Sequence, residues 1–93
     1  MLSSKFKTLE DWYDYKNSII SNISNLEWYM KKDLLTLLTN AEEKLQEVSK
    51  LEVKLRQNPK LKSAELALNV KRNEFDQILK LLSMYAIKAK LTK

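Results

Sequence analysis

Lys54 to Lys62 reads KLRQNPKLK, and the Asn58-Pro59 pair at its centre decides the fold. Pro59 is the only proline in 93 residues, and the chain has no glycine. Either this one breaker kinks a rod, or it folds the molecule in half. The two possibilities place the flanking apolar residues differently. Upstream, apolar side chains fall at Met30, Leu34, Leu38, Ala41, Leu45, Val48, Leu51 and Leu55. Downstream they fall at Leu61, Ala64, Leu68, Phe75, Ile78, Leu82, Tyr85 and Ala89, with Lys71 interrupting the run. Both series have the three-then-four spacing of a helical stripe.

If the chain doubles back at Asn58-Pro59, facing residues have numbers with a constant sum. Leu55 and Leu61, Val48 and Leu68, Ala41 and Phe75, Leu38 and Ile78, and Leu34 and Leu82 all add to 116. A kinked rod gives no reason for that agreement. Small Ala41 also meets large Phe75, the size alternation a packed seam needs. The sequence therefore predicts an antiparallel hairpin of two equal helices over 25–57 and 59–91, each of about 33 residues and about 50 Å. Asn58 is expected to cap the third helix, with Pro59 in its first turn, where a missing N–H costs nothing. Lys71 would lie in the seam opposite Leu45, its stem packed and its ammonium reaching outward, or it would act as a polar residue that sets register.

The open end of the hairpin is apolar over a wider arc, with Leu34, Leu35, Leu37 and Leu38 on one arm and Leu79, Leu81, Leu82, Met84, Tyr85 and Ile87 on the other. A wide arc needs a third element to cover it. Leu9, Trp12, Tyr13, Ile19, Ile20 and Ile23 have helical spacing and predict a first helix over 9–22, opened by Thr8 and the acidic first turn that follows it. SNISN (Ser21 to Asn25) is poor helix interior, because short polar side chains compete for the backbone. Ser24-x-x-Glu27 reads as a capping box opening the second helix. One unbroken helix from Leu9 to Gln57 would be about 73 Å long, too long for so small a domain. Residues 1–7 are expected to form a flexible basic tail. The whole chain, 1–93, then makes one all-α domain, a three-helix bundle in which Trp12, Ile19 and Ile23 fill the open end; a dimer of hairpins could bury the same surface.

The composition agrees. Apolar residues are 44% and charged residues 31%, a balance that folds rather than stays disordered. A chain of this length buries only about two-thirds of its unfolded surface, so its stability margin is thin. Tight β-hairpins favour glycine, which is missing. With no cysteine there are no disulfides and no thiolate-bound metals. That suits a reducing cytoplasm, the expected location. No apolar run approaches the roughly 18 residues needed to span a bilayer.

With no histidine, the side chain best suited to proton transfer at neutral pH is missing. No glycine-rich loop can cradle a phosphate. The carboxylates at Glu10, Asp11 and Asp14 and at Glu42, Glu43 and Glu47 read as solvated faces or helix-dipole partners. The expectation is a non-enzymatic protein with no cofactor and no metal. Two aromatic clusters, DWYDY and LEWYM, hold both tryptophans. Base stacking beside Lys16, Lys31 and Lys32 is one use for them. Packing Trp12 and Trp28 into the open end is the simpler one.

Two surfaces remain for binding. The net charge is +5, and the predicted tip carries Lys50, Lys54, Arg56, Lys60 and Lys62 against a single acid, Glu52. Beside it lie apolar residues outside the seam: Val53, Leu66 and Val70, the last two one helical turn apart. These predict a protein–protein interaction module that docks a helix face onto a partner, acidic where it meets the tip, or onto a second copy of itself. Chaperone, inhibitor, immunity and secretion-apparatus roles all fit that description. In shape, a hairpin turning at Asn-Pro resembles type III secretion needle subunits and small helical chaperones, a likeness that assigns no residues. The alternative is a nucleic-acid-binding module using the basic tip. The charge is mostly lysine, however, with arginine only at 56 and 72, and base readout favours arginine.

Overall fold

The structure, a computed structural model, describes residues 5–24 and 26–88. They form α1 (Leu9–Ser21), α2 (Trp28–Gln57) and α3 (Lys62–Lys88), and among the described residues there is no strand. The chain does reverse at Asn58-Pro59. The two long helices pack against each other along their length, α1 lies against α2, and the result is a three-helix bundle 48 Å long and about 19 Å across.

The turn is built differently from the one expected. Asn58 closes α2, its N–H donating to the carbonyl of Lys54 at 3.0 Å. Its own carbonyl then accepts from the N–H of Leu61 at 3.1 Å. Pro59 thus occupies the second position of a four-residue turn, where its fixed φ is suited, and α3 begins three residues later than a proline-led helix would. Leu61 supplies the first carbonyl of α3, accepting from Ala64 and Glu65. Lys54 and Arg56 in the last turn of α2 face the negative end of its dipole.

The other boundaries follow local chemistry. Thr8 caps α1 in a reciprocal box: its hydroxyl accepts from the N–H of Asp11, and the Asp11 carboxylate accepts from the N–H groups of Thr8 and Lys7. Asn22 ends the helix, so α1 is one residue shorter than expected. The Ser24-Glu27 box does not form. Glu27 sits at the N-cap of α2 and makes no side-chain cap bond, and α2 starts at Trp28 rather than Asn25. A box needs its glutamate inside the helix, at the third position. Here a turn closed by the Leu26 N–H on the Ile23 carbonyl fills that stretch. The expected residues 89–91 of the third helix, and 1–4 of the tail, lie outside the described residues.

The core is the predicted seam. Leu34, Leu38, Ala41, Leu45 and Val48 of α2 and Leu68, Phe75 and Leu82 of α3 are buried, together with Leu79 and Ala86. Leu51, Leu55, Ile78 and Tyr85 are partly buried against them. Trp12, Ile19 and Ile23 fill the open end from α1, as the width of the apolar arc required. Phe6 departs from the tail reading: it is 4% exposed, with its ring 5.6 Å from Trp12, 5.4 Å from Tyr15 and 6.0 Å from Phe75. At about 1.5–3 kcal/mol for a fully buried large side chain, Phe6 anchors the segment before α1. Trp28 does the reverse. It is 74% exposed, because the helical repeat sets it in line with exposed Lys32, Leu35 and Thr39, on the side of α2 turned away from the seam.

Candidate interaction surface

α1 has 13 residues, about 20 Å, so it covers less than half of the hairpin and lies on one side only. Its docking is fixed by one carboxylate. Glu42 of α2 accepts from the indole N–H of Trp12 at 3.1 Å and from the Lys16 ammonium at 2.8 Å. The Lys16 hydrogen bond holds the Glu42 carboxyl below its ordinary 4.5, against the opposing pull of burial. On the other edge of α1, the Tyr15 hydroxyl meets Ser83 of α3 at 3.4 Å.

A carboxyl depressed in the fold stabilises it above the unfolded value and stops doing so as pH falls through the folded one. Glu42→Gln is therefore expected to cost about 1 kcal/mol at pH 7, since the pair is partly solvated. The difference from the unaltered protein should hold down to about pH 5 and shrink below pH 4.5. Denaturant melts across that range check it; a gap that widens in acid would be the wrong sign.

Lys71 is partly buried and sends its ammonium to Glu47 at 3.1 Å and Glu74 at 3.7 Å. The Glu47 hydrogen bond raises the Lys71 pKa. Lys44 meets the same Glu74 at 3.0 Å, and this contact leads in lowering the Glu74 carboxyl. Closer to the tip, Arg72 reaches Glu52 across the hairpin at 2.6 Å. The cross-helix pairs Lys44–Glu74, Lys71–Glu47 and Arg72–Glu52 bridge α2 and α3 and pin their register.

Where the binding candidates lie follows from the 3.6-residue repeat. Leu66 and Val70 share the outer face of α3, opposite the seam, and are 67% and 56% exposed. Val53 is also exposed but stands on the flank of α2, about a quarter-turn from the seam, so the structure does not join it to the other two. The basic tip residues are exposed and spread apart. Lys50 and Lys54 occupy the outer face of α2, Lys60 the turn and Lys62 the start of α3. Arg56 turns back to Glu52 at 3.5 Å.

The sequence reading missed the extent of the outer face of α3. Leu81, Met84 and Ile87, assigned there to the open-end core, are more than half exposed and lie on the same outer side as Leu66 and Val70, beyond polar Asn73 and Gln77. All three carboxylates of the helix, Glu65, Glu74 and Asp76, fall on its flanks. The matching face of α2 is more polar: Lys32, Thr36, Thr39, Glu43, Gln46 and Lys50 are exposed there, with exposed Trp28, Tyr29 and Leu35 near its start. A signal was present in the sequence, since Leu66, Val70, Met84 and Ile87 follow a second helical repeat offset from the seam. Near Trp28, a shallow groove of α2 lined by Lys31, Lys32 and Leu35 adds a smaller exposed apolar spot.

Among the described residues no group of histidine, cysteine or acidic side chains could hold a metal ion, and no helix is long and apolar enough to cross a membrane. Comparison with protein-family models, curated proteins and solved structures finds no match.

Proposed function

We propose that this chain is a small non-enzymatic protein-interaction module whose docking surface is the outer face of α3. One observation carries the proposal: five large apolar side chains stand exposed on the outer side of α3, Leu66 and Val70 toward the tip and Leu81, Met84 and Ile87 toward the open end, with polar Asn73 and Gln77 between the two groups. Single exposed apolar residues are ordinary. Several grouped along one side of a helix make the arrangement by which an amphipathic helix meets a protein surface. The outer face of α2 supports the same choice, because beyond Trp28, Tyr29 and Leu35 at its start it is polar. The basic tip, with its lysines on separate faces, is left as a steering field that favours an acidic partner and speeds encounter.

Leu66→Glu combined with Val70→Glu tests the proposal. Both positions are exposed, so helicity and unfolding free energy should change by no more than about 0.5 kcal/mol. Capture of the partner from host lysate should fall at least about tenfold, since apolar anchors at an interface cost about 1–2 kcal/mol each or more. Val53→Glu, on the other helix's flank, should change it less than about twofold by the same reckoning. Equal capture by the double variant and the unaltered protein would rule this face out.

A further inference from the structure

We infer that the groove of the hairpin left open between α1 and the tip is a docking site for an acidic helix of a partner protein, received by Arg56 and Arg72; this rests on the interaction role proposed above, though not on the face of α3 chosen there. α1 fills this side of the hairpin only in the half away from the tip. Its Trp12 lies against Glu42 of α2 and Phe75 of α3, and its Tyr15 against Ser83. It therefore runs from the middle of the hairpin toward the open end. The groove continues the other way. Arg56 stands fourteen residues beyond Glu42, two heptads along the same strip of α2 and about 21 Å nearer the tip. Arg72 stands seven residues before buried Leu79, which lies between Phe75 and Ser83 on α3. There the groove is a shallow cleft lined by Glu52, Leu55, Arg56, Pro59, Leu68 and Arg72. Since a helix fills one half of the groove, a helix is the shape that fits the other.

The charge of the cleft selects the occupant. The chain has only two arginines, and both stand here on the same carboxylate. Glu52 has a side chain 11% exposed and meets Arg72 at 2.6 Å, so it shows little negative charge to solvent. Arg56 is 76% exposed and reaches Glu52 only at 3.5 Å, which leaves its planar fork open to a second carboxylate. From Lys50 to Arg72 the chain carries seven cations against Glu52 and Glu65, so the field above the cleft is positive. Leu55 and Pro59 add apolar contact beside the arginines. A helix with glutamates flanking a leucine stripe matches both features. Nucleic acid matches less well: no aromatic residue lies between Tyr29 and Phe75, so bases have nothing to stack on.

The probe is a synthetic helical peptide with glutamates along a leucine stripe, labelled for fluorescence anisotropy, and its control has glutamine in place of glutamate. The glutamate peptide should bind at least about tenfold more tightly than the control. Arg56→Glu should weaken it at least about tenfold, because a close charge pair is reversed. Lys50→Glu makes the same charge change on the outer face of α2 and should weaken it less than about threefold, since it lies beyond the screening length of about 8 Å. Both positions are exposed, so the helical circular dichroism of each variant should stay intact. No binding of the glutamate peptide, or equal losses for Arg56→Glu and Lys50→Glu, overturns the inference. A single-stranded oligonucleotide that binds more tightly than the peptide, and loses its affinity in Arg56→Glu, overturns it by assigning the cleft to nucleic acid. If Leu66→Glu/Val70→Glu loses partner capture while Arg56→Glu leaves peptide binding unchanged, the cleft is overturned and the α3 face stands. If Arg56→Glu weakens the peptide while Leu66→Glu/Val70→Glu leaves capture unchanged, the cleft stands and the α3 face falls.

Discussion

Trp12→Ala is expected to lower the unfolding free energy by about 3–5 kcal/mol, whereas Trp28→Ala should change it by no more than about 0.5 kcal/mol. Trp12 is fully buried, and its ring lies 5.6 Å from Phe6, 6.0 Å from Tyr15 and 5.7 Å from Phe75. Truncation removes those contacts and also the indole N–H bonded to Glu42. The surroundings relax little, because Phe75 and Leu34 are held from the other side by the hairpin seam. Small domains have stabilities of only about 5–15 kcal/mol, so the loss is a large share of the total. α1 is the element most affected, since Trp12, Ile19 and Ile23 are its main buried anchors. Amide exchange should therefore quicken in α1 before it quickens in α2 and α3. Denaturant melts of the two variants side by side supply the check. Equal losses for the two tryptophans would contradict the placement of both.

The contrast between the tryptophans also marks how far the sequence could be read. The hairpin was legible, because two stripes seven residues apart must face each other if the chain turns between them, and Leu34, Ala41, Val48, Leu68, Phe75 and Leu82 are buried together. The cover provided by α1 was legible from the wider apolar arc at the open end. Trp28 was misplaced, although the helix repeat sets it in line with Lys32, Leu35 and Thr39, on the side of α2 turned away from the seam. Phe6 was hidden by its lysine neighbours and by lying outside any helical stripe. The Ser24-Glu27 motif suggested a start that the intervening turn displaced by a few residues. On the candidate surface, Leu66 and Val70 were legible as one turn of exposed helix. Their continuation through Leu81, Met84 and Ile87 was masked, because leucine and methionine near an open end read equally well as core. Only the position of α1, lying against one side, separates the two readings.

Phe75→Ala should be as costly as Trp12→Ala, about 3–5 kcal/mol, and a second change can recover part of that loss. Phe75 is fully buried and faces Ala41, also fully buried, across the seam. The pair fills one layer with a large and a small side chain. Emptying the large site leaves a cavity that Ala41 cannot reach into. Ala41→Leu alone overfills the layer and should cost about 1–3 kcal/mol. Combined, the two changes restore most of the volume from the opposite helix. The double variant is expected to be more stable than Phe75→Ala by about 1–2 kcal/mol, within the coupling seen between contacting residues. Ala64→Leu provides the control, because Ala64 is buried as well but sits nearer the tip, several turns along α3. Added to Phe75→Ala, it should make matters worse. Ala64 lies about 16 Å from Phe75 on the same helix, out of reach of the cavity in any register. No rescue by Ala41→Leu would therefore mean that α2 presents a different residue to Phe75, and that the two helices meet in a different register.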